Sequence, residues 1–255
     1  MNPELKRFLK RYVPGRMLRF LMYLRHLRFV RGPLTYNRDG LATQHSSDFL
    51  HDDHFREAYR LGKEAGGYDS DLQWRAYVAC WAAAKGCQLE GDFVECGVNR
   101  GLLSRTIIHY VDFESLPKTF YLLDTFHGLV PEQMTDEERR RGVDTHHYGD
   151  CYEQVEETFR RFRNVVLVRG AVPATLTQVP SEKVSYLSID MNCAAPEIAA
   201  ANFFWDKLVS GAVMVLDDYG WPNRDVQKNE FNKFAEERGV QILALPTGQG
   251  LIFKP

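Results

Sequence analysis

Five carboxylates, Glu95, Asp124, Asp190, Asp217 and Asp218, close or nearly close short apolar runs: DFVECGV, TFYLLDT, KVSYLSID and AVMVLDD. If those runs are parallel strands, their carboxyl ends face one crevice, which is where open α/β sheets bind ligands. Glu95 precedes the turn Cys96-Gly97-Val98-Asn99-Arg100-Gly101, whose Gly-x-x-x-Gly spacing lacks the Gly-x-Gly-x-x-Gly of a dinucleotide fingerprint. Glycines there let backbone approach a ligand closely, and the helix N-terminus beyond offers free N–H groups to a carboxylate. An acid beside that turn suits a cationic amine better than a pyrophosphate. Asp124, 29 residues later, stands where an acid accepts both hydroxyl protons of a ribose. Together the two acids fit a nucleoside with an amino-acid tail. Taken singly, the glycine turn reads equally well as structural, and Asp124 as a cap for Thr125-Phe126-His127-Gly128.

The third cluster is more specific. Asp190 closes SYLSID and Asp217-Asp218 closes VMVLDD; neighbouring strand ends lie about 5 Å apart, so three carboxylates would converge. Their repulsion has to be relieved by a proton or a divalent cation. An all-oxygen set favours a hard ion, of which Mg²⁺ with several retained waters is the natural choice. One of the three could simply cap the turn Tyr219-Gly220-Trp221-Pro222, but capping does not account for all of them.

The elements that would hold these residues follow from the pattern. Strand-like runs are expected at 92–98, 119–125, 165–170, 183–190, 212–218, 240–246 and 250–254, with helices over 102–111, 152–163, 196–209 and 224–238. Near-continuous apolar strands separated by helices indicate a mostly parallel sheet covered on both faces, a doubly wound α/β fold. Between the last two runs only Thr247, Gly248 and Gln249 intervene, too few for a crossover helix, so these two should form an antiparallel hairpin at the sheet edge. The polar stretch 131–150, which includes His146 and His147, reads as a lid or substrate loop.

The composition suits such a protein. Of 255 residues, 44% are hydrophobic and 26% charged, which excludes a disordered, collagen-like or disulfide-stapled chain. Five cysteines without a Cys-x-x-Cys pair suggest neither a disulfide framework nor a zinc site, and point to a reducing cytoplasm. No run approaches the roughly 18 apolar residues of a membrane span, and no secretory cleavage pattern is visible. The net charge of −2 hides an asymmetry: residues 1–31 carry nine basic groups and one acid, +8, leaving −10 for the remainder. This segment reads as two basic amphipathic helices interrupted by Pro14-Gly15, packing on the main domain or a partner subunit. Attachment to an acidic membrane surface is the lesser reading, and nucleic acid is disfavoured by the acidic remainder. The apolar stripes of these helices suggest a homo-oligomer. Residues 1–70 are therefore taken as a helical extension and 71–255 as the catalytic domain.

GDFVECGVNRGLLS, FYLLDTFHGL, VRGAVPATL, SYLSIDM and VMVLDDYGWP, in that order, resemble the macrocin-type sugar O-methyltransferases, a metal-dependent branch of the class I S-adenosylmethionine-dependent methyltransferases. The resemblance spans about the last three quarters of the chain and implies a Rossmann-like, seven-stranded methyltransferase fold. It implies that Glu95, Gly97, Gly101 and Ser104 surround the methionine part of S-adenosylmethionine, that Asp124 holds the ribose and that Gly170, Ala171 and Val172 border the adenine. It also implies that Asp190, Asp217 and Asp218 bind Mg²⁺, which holds the oxygens of a hydroxylated acceptor such as a sugar. The chain departs from the family pattern in two places. Met191 to Glu197 replaces a tyrosine-containing Asp-Leu-Tyr-Glu-Ser-Thr segment, and His127 stands where an acid is usual. The lysine of catechol-type relatives, three residues after the first metal acid, is Cys193 here. Candidate bases are Asp190, His127, His146 and His147, the histidines because an ordinary imidazole titrates in a useful range. The alternative function is a non-catalytic S-adenosylmethionine-binding regulator; a nicotinamide dehydrogenase is disfavoured by the glycine spacing.

Overall fold

The computed structural model describes residues 33–67, 71–143 and 148–255. The basic segment 1–31, and with it the two expected amphipathic helices, lies outside the described residues, as do His146 and His147. Contacts divide the chain into a unit of Met1–Asn37 with Ala42–Ser46 and a larger one of Arg38–Leu41 with Ser47–Pro255.

A short hairpin, β1 (Tyr36–Arg38) and β2 (Leu41–Thr43), turns at Asp39-Gly40. Both turn residues have positive φ, +51° and +73°, the geometry an Asp-Gly pair favours in a two-residue hairpin loop. Helix α1 (Asp53–Gly66) starts on Asp52, whose side chain accepts the Phe55 N–H, and stops at Gly67 in the left-handed region. Helix α2 (Gln73–Gly86) follows.

The larger unit then alternates strand and helix as the apolar runs require: β3 (Asp92–Cys96), α3 (Leu102–Tyr110), β4 (Phe120–Asp124), α4 (Asp136–Arg140), α5 (Tyr152–Phe159) and β5 (Val165–Arg169). These are followed by β6 (Val184–Ile189), α6 (Ala194–Trp205), β7 (Leu208–Leu216), α7 (Asp225–Glu237), β8 (Leu243–Ala244) and β9 (Gly250–Phe253). Seven strands form one sheet in the order β5-β4-β3-β6-β7-β9-β8. The first five are parallel, and β9 pairs antiparallel with both β7 and β8. This is the expected doubly wound sheet with its antiparallel C-terminal hairpin. The run at 240–246 yields only a two-residue strand, because just Leu243 and Ala244 pair with β9, and the run at 212–218 extends backwards to Leu208.

Alternation along the strands splits the core in two. Phe93, Phe120, Tyr186, Val213 and Val215 pack toward α1, α2, α3 and α5. Val94, Cys96, Leu123, Leu187, Ile189, Met214 and Leu216 pack toward α6 and α7. Burial of both faces is why these strands read as continuous apolar runs. The α1–α3 contact is close enough that a Cβ on Gly62 would lie 2.0 Å from Thr106 Oγ1. Register then sets the strand ends flush: Cys96 stands beside Leu123 and Ile189, and Ile189 beside Leu216. The residues just past those ends therefore share one rim. All five cysteines are free thiols, and among the described residues no helix is long and apolar enough to cross a membrane.

Candidate active site

The rim carries a cleft of about 730 Å³, counting space open to solvent, whose walls include Gly97, Asp124, Gly170, Ala171, Val172 and Asp190. Its floor depends on Gly97. With φ at +94°, a Cβ on this residue would lie 1.8 Å from the Asp190 carbonyl oxygen. The ends of β3 and β6 are closed together there by Asp190 N–H donating to Cys96 O, and those of β3 and β4 by Gly97 N–H donating to Leu123 O, both at 2.8 Å. Gly101, also at positive φ, faces away from the cleft: a Cβ on it would meet the Phe159 ring at 2.5 Å. Both glycines are required by the protein packed against them, whereas the sequence pattern suggests close approach of a ligand.

Asp124 organises the turn above Gly97. Its Oδ2 accepts the N–H groups of Val98 and Asn99 at 2.6 and 2.7 Å, and its Oδ1 accepts that of Phe126 at 2.6 Å. The capping reading and the ligand reading thus meet in one residue, since a carboxylate that accepts these bonds, and one from Thr125 Oγ1 at 3.3 Å, is fixed in orientation while it lines the cleft. Glu95 lies lower, in a recess shared with Arg75, Asp190 and Asp217. Ser104 Oγ donates to it at 2.9 Å. Burial, only partly offset by that bond, pushes the Glu95 carboxyl up to about 8.

Past β6 and β7, Asp190, Asp217 and Asp218 offer carboxylate oxygens that all lie within 4.8 Å of one another. Asp217 is gripped from two sides: Gln249 Nε2 donates to Oδ1 at 3.0 Å, and the Arg75 guanidinium pairs with Oδ2. Arg75 in turn pairs with Asp39, at 2.8 Å from Nε. The buried Asp218 Oδ2 lies 3.4 Å from Arg224 Nε as an ion pair, yet accepts no hydrogen bond. Burial and the Asp217 charge push Asp218 up to about 6, and the same two causes raise Asp190 well above the usual carboxylate range. An orphaned buried oxygen within an all-carboxylate set, with its neighbours fixed by outer hydrogen bonds, fits a hard divalent cation.

The remaining candidates fall elsewhere. His127 is 76% exposed, with Nδ1 3.6 Å from Asp150, and it does not line the cleft that its neighbours Phe126 and Gly128 line. The stretch 131–150, expected to be a loop, contains α4 with a capping box in which Thr135 and Glu138 bond reciprocally. The second oxygen of Glu138 accepts the Ala194 N–H at 2.8 Å, so this segment is latched to the start of α6, beside the cleft residues Cys193 and Pro196. Sequence reasoning missed Arg75, Arg224, Gln249 and Glu197. An arginine among alanines and aromatics in QWRAYVACWAAA is the only visible signal. Glu197, buried and pushed up to about 8, accepts the Met191 N–H at 3.0 Å and Gln227 Nε2 at 2.8 Å, which orients the segment after Asp190.

A sheet of this order, with an acid at the end of β4, a glycine turn after β3 and a cleft across the strand ends, defines a class I S-adenosylmethionine-dependent methyltransferase. The model of the macrocin O-methyltransferase (TylF) family matches residues 75–242, so the chain belongs to that family and is an S-adenosylmethionine-dependent O-methyltransferase. Among solved structures it is similar in fold to the O-methyltransferase NovP, with a TM-score of 0.66 and 17% identity over 79% of this chain and 99% of that one. It is also similar to the calicheamicin methyltransferase CalS11, with a TM-score of 0.57 and 14% identity over 88% and 99%. A third is an O-methyltransferase from Bacillus cereus in complex with SAH, with a TM-score of 0.52 and 12% identity over 81% and 96%. No curated protein sequence matches the chain.

Proposed function

We propose that the chain methylates a hydroxyl of a sugar or sugar-bearing natural product, with Asp190, Asp217 and Asp218 holding a divalent cation, Mg²⁺ in the cell. The observation that carries this reading is the convergence of three carboxylates within 4.8 Å, with Asp218 Oδ2 accepting no hydrogen bond, on the rim of the cleft holding Asp124. Family membership supports the sugar acceptor, as does the similarity in fold to CalS11, a TDP-rhamnose 3'-O-methyltransferase. When bound, the cation would lower the pKa of the acceptor hydroxyl and fix its position.

The chain's own residues do the rest. Glu95, ionised on meeting a cationic amine, and Ser104 hold the amino-acid end of S-adenosylmethionine. Asp124 takes the ribose hydroxyls, and Gly170, Ala171 and Val172 border the adenine. The acceptor oxygen attacks the methyl carbon as the carbon–sulfur bond breaks; the sulfonium becomes a neutral thioether, and the hydroxyl proton passes to a base. Asp190 is the candidate at the site, and His127 is turned toward Asp150. Alignment of oxygen, methyl carbon and sulfur, rather than covalent chemistry by the protein, supplies the rate.

The test is methyl transfer to a panel of free and nucleotide-linked sugars, with Mg²⁺ and with excess chelator, for the wild type and Asp218→Asn. Turnover that is lost in chelator and in the variant, with S-adenosylhomocysteine binding retained, is the expected result. Full turnover in chelator rejects the cation, and S-adenosylhomocysteine binding without transfer to any hydroxyl compound rejects the acceptor class.

A further inference from the structure

The carboxylates at the rim are not alone. Arg75 reaches them from α2, pairing with Asp217 on one side and Asp39 on the other, and its guanidinium lies over the Trp221 ring at 5.0 Å. Asp39 sits at the tip of the β1–β2 turn, where Trp221 also lies 4.0 Å from the position of a Cβ on Gly40. The Arg75 side chain is 14% exposed and that of Asp39 10%, so this pair is sheltered from the screening that makes surface ion pairs weak. Arg224 pairs with Asp218 and donates to the Asn192 carbonyl and side-chain oxygens at 3.1 and 2.6 Å. Written in the ionised form in which carboxylates ligate a cation, Asp39, Asp190, Asp217 and Asp218 would carry four negative charges against the two positive ones of Arg75 and Arg224. Arg75 thus subtracts from, and Asp39 adds to, the negative charge a cation meets at the cluster.

We propose that Arg75, held by Asp39, is a positioning residue that sets the charge deficit of the carboxylate cluster and thereby its affinity for a divalent cation. Gln249 fixes one oxygen of Asp217 independently, so Arg75 acts on the cluster more through charge than as its sole anchor. Asp39 completes the balance from a segment far away in sequence, and the hairpin turn is thereby tied to the metal end of the cleft. The inference rests on the cation reading above and deepens it.

The experiment is calorimetric titration with Mn²⁺ alone, on the full chain, for wild type, Asp39→Asn, Arg75→Met and Arg75→Lys, with S-adenosylhomocysteine affinity measured without metal as a control for an intact cleft. Removing a negative charge and removing a positive one must act in opposite directions. Asp39→Asn is expected to weaken Mn²⁺ binding about tenfold and Arg75→Met to tighten it by a similar factor, the scale of one unit charge near a divalent ion at intermediate dielectric. Arg75→Lys, which keeps the charge, should stay within about threefold of wild type. A merely structural role would weaken binding in both charge-changing variants. Should Arg75→Met fail to fold, the contrast between Asp39→Asn and Arg75→Lys carries the test. Saturable wild-type binding with these variants unchanged, or all weakened, overturns this inference alone. No saturable binding to the wild type overturns the cation site and this inference with it.

Discussion

Replacing Gly97 by alanine tests whether the site is built on the contact between two strand ends. The new Cβ would lie 1.8 Å from the Asp190 carbonyl oxygen and 2.4 Å from its carbon, a clash with backbone that no rotamer relieves. The residue would also be held at φ +94°, a left-handed conformation that costs a non-glycine residue about 1–2 kcal/mol. Separating β3 from β6 enough to admit the methyl group strains or breaks the 2.8 Å hydrogen bond from Asp190 N–H to Cys96 O, at about 1 kcal/mol. The sum is about 2–3 kcal/mol. At an unfolding entropy of about 2 cal/mol/K per residue this lowers Tm by roughly 4–6 °C. Thermal denaturation is the assay, with Gly149→Ala as the control, because a Cβ there meets nothing within 4 Å. Gly97→Ala should also lose most of its affinity for S-adenosylhomocysteine, since the floor of the cleft moves. A loss below about 1 kcal/mol with cofactor binding intact would refute the close-contact reasoning.

Asp124→Asn keeps the shape of the side chain but removes the charge that accepts the Val98, Asn99 and Phe126 N–H groups; S-adenosylhomocysteine affinity should fall about tenfold or more by calorimetry, charged hydrogen bonds being worth about 1.5–3 kcal/mol. Glu95 and Glu197, both pushed up to about 8 mainly by burial, keep protons in the folded chain that the unfolded chain releases near the ordinary value of 4.5. Folding stability should therefore decline as pH rises from about 4.5 to about 8 and level off above, by up to about 1.4 kcal/mol per pH unit for each retained proton; denaturant melts across that window should show a shallower decline in Glu197→Gln. S-adenosylhomocysteine binding should strengthen over the same rise in pH, as Glu95 ionises to meet the amine, and Glu95→Gln should abolish that dependence. Glu138→Ala leaves the Ala194 N–H without its partner, so limited proteolysis should cut within 131–150 sooner than in wild type, with a stability loss of about 1–3 kcal/mol.

Much of this is legible in the linear chain for identifiable reasons. A strand buried on both faces is near-continuously apolar, so FYLLD and VSYLSI declare themselves, and the three residues between the last two runs leave no room for anything but a hairpin. Asp190, Asp217 and Asp218 are recoverable because they directly follow such runs, and parallel pairing sets run ends side by side. Boundaries are less legible: β7 starts at Leu208, ahead of the strong apolar core, because Leu208 pairs with Val184. His127 looks suitable from its place in the turn Thr125-Phe126-His127-Gly128, just past Asp124. A side chain's direction, however, is decided by the backbone of that turn, where Phe126 is left-handed at φ +55° and His127 is sent outward.

The sequence alone thus determined the doubly wound sheet and the acids at the strand ends, since these follow from periodicity and from residue type at a run's end, while the cofactor class followed from the resemblance of its ordered motifs to a known family. Tertiary structure decided what holds those acids. Arg75 on α2, Gln249 beside the last strand and Asp39 in the N-terminal hairpin come from three distant stretches of chain. No local pattern encodes their meeting, because an ion pair or hydrogen bond between residues up to 174 positions apart exists only once the sheet order has brought their elements to the same rim.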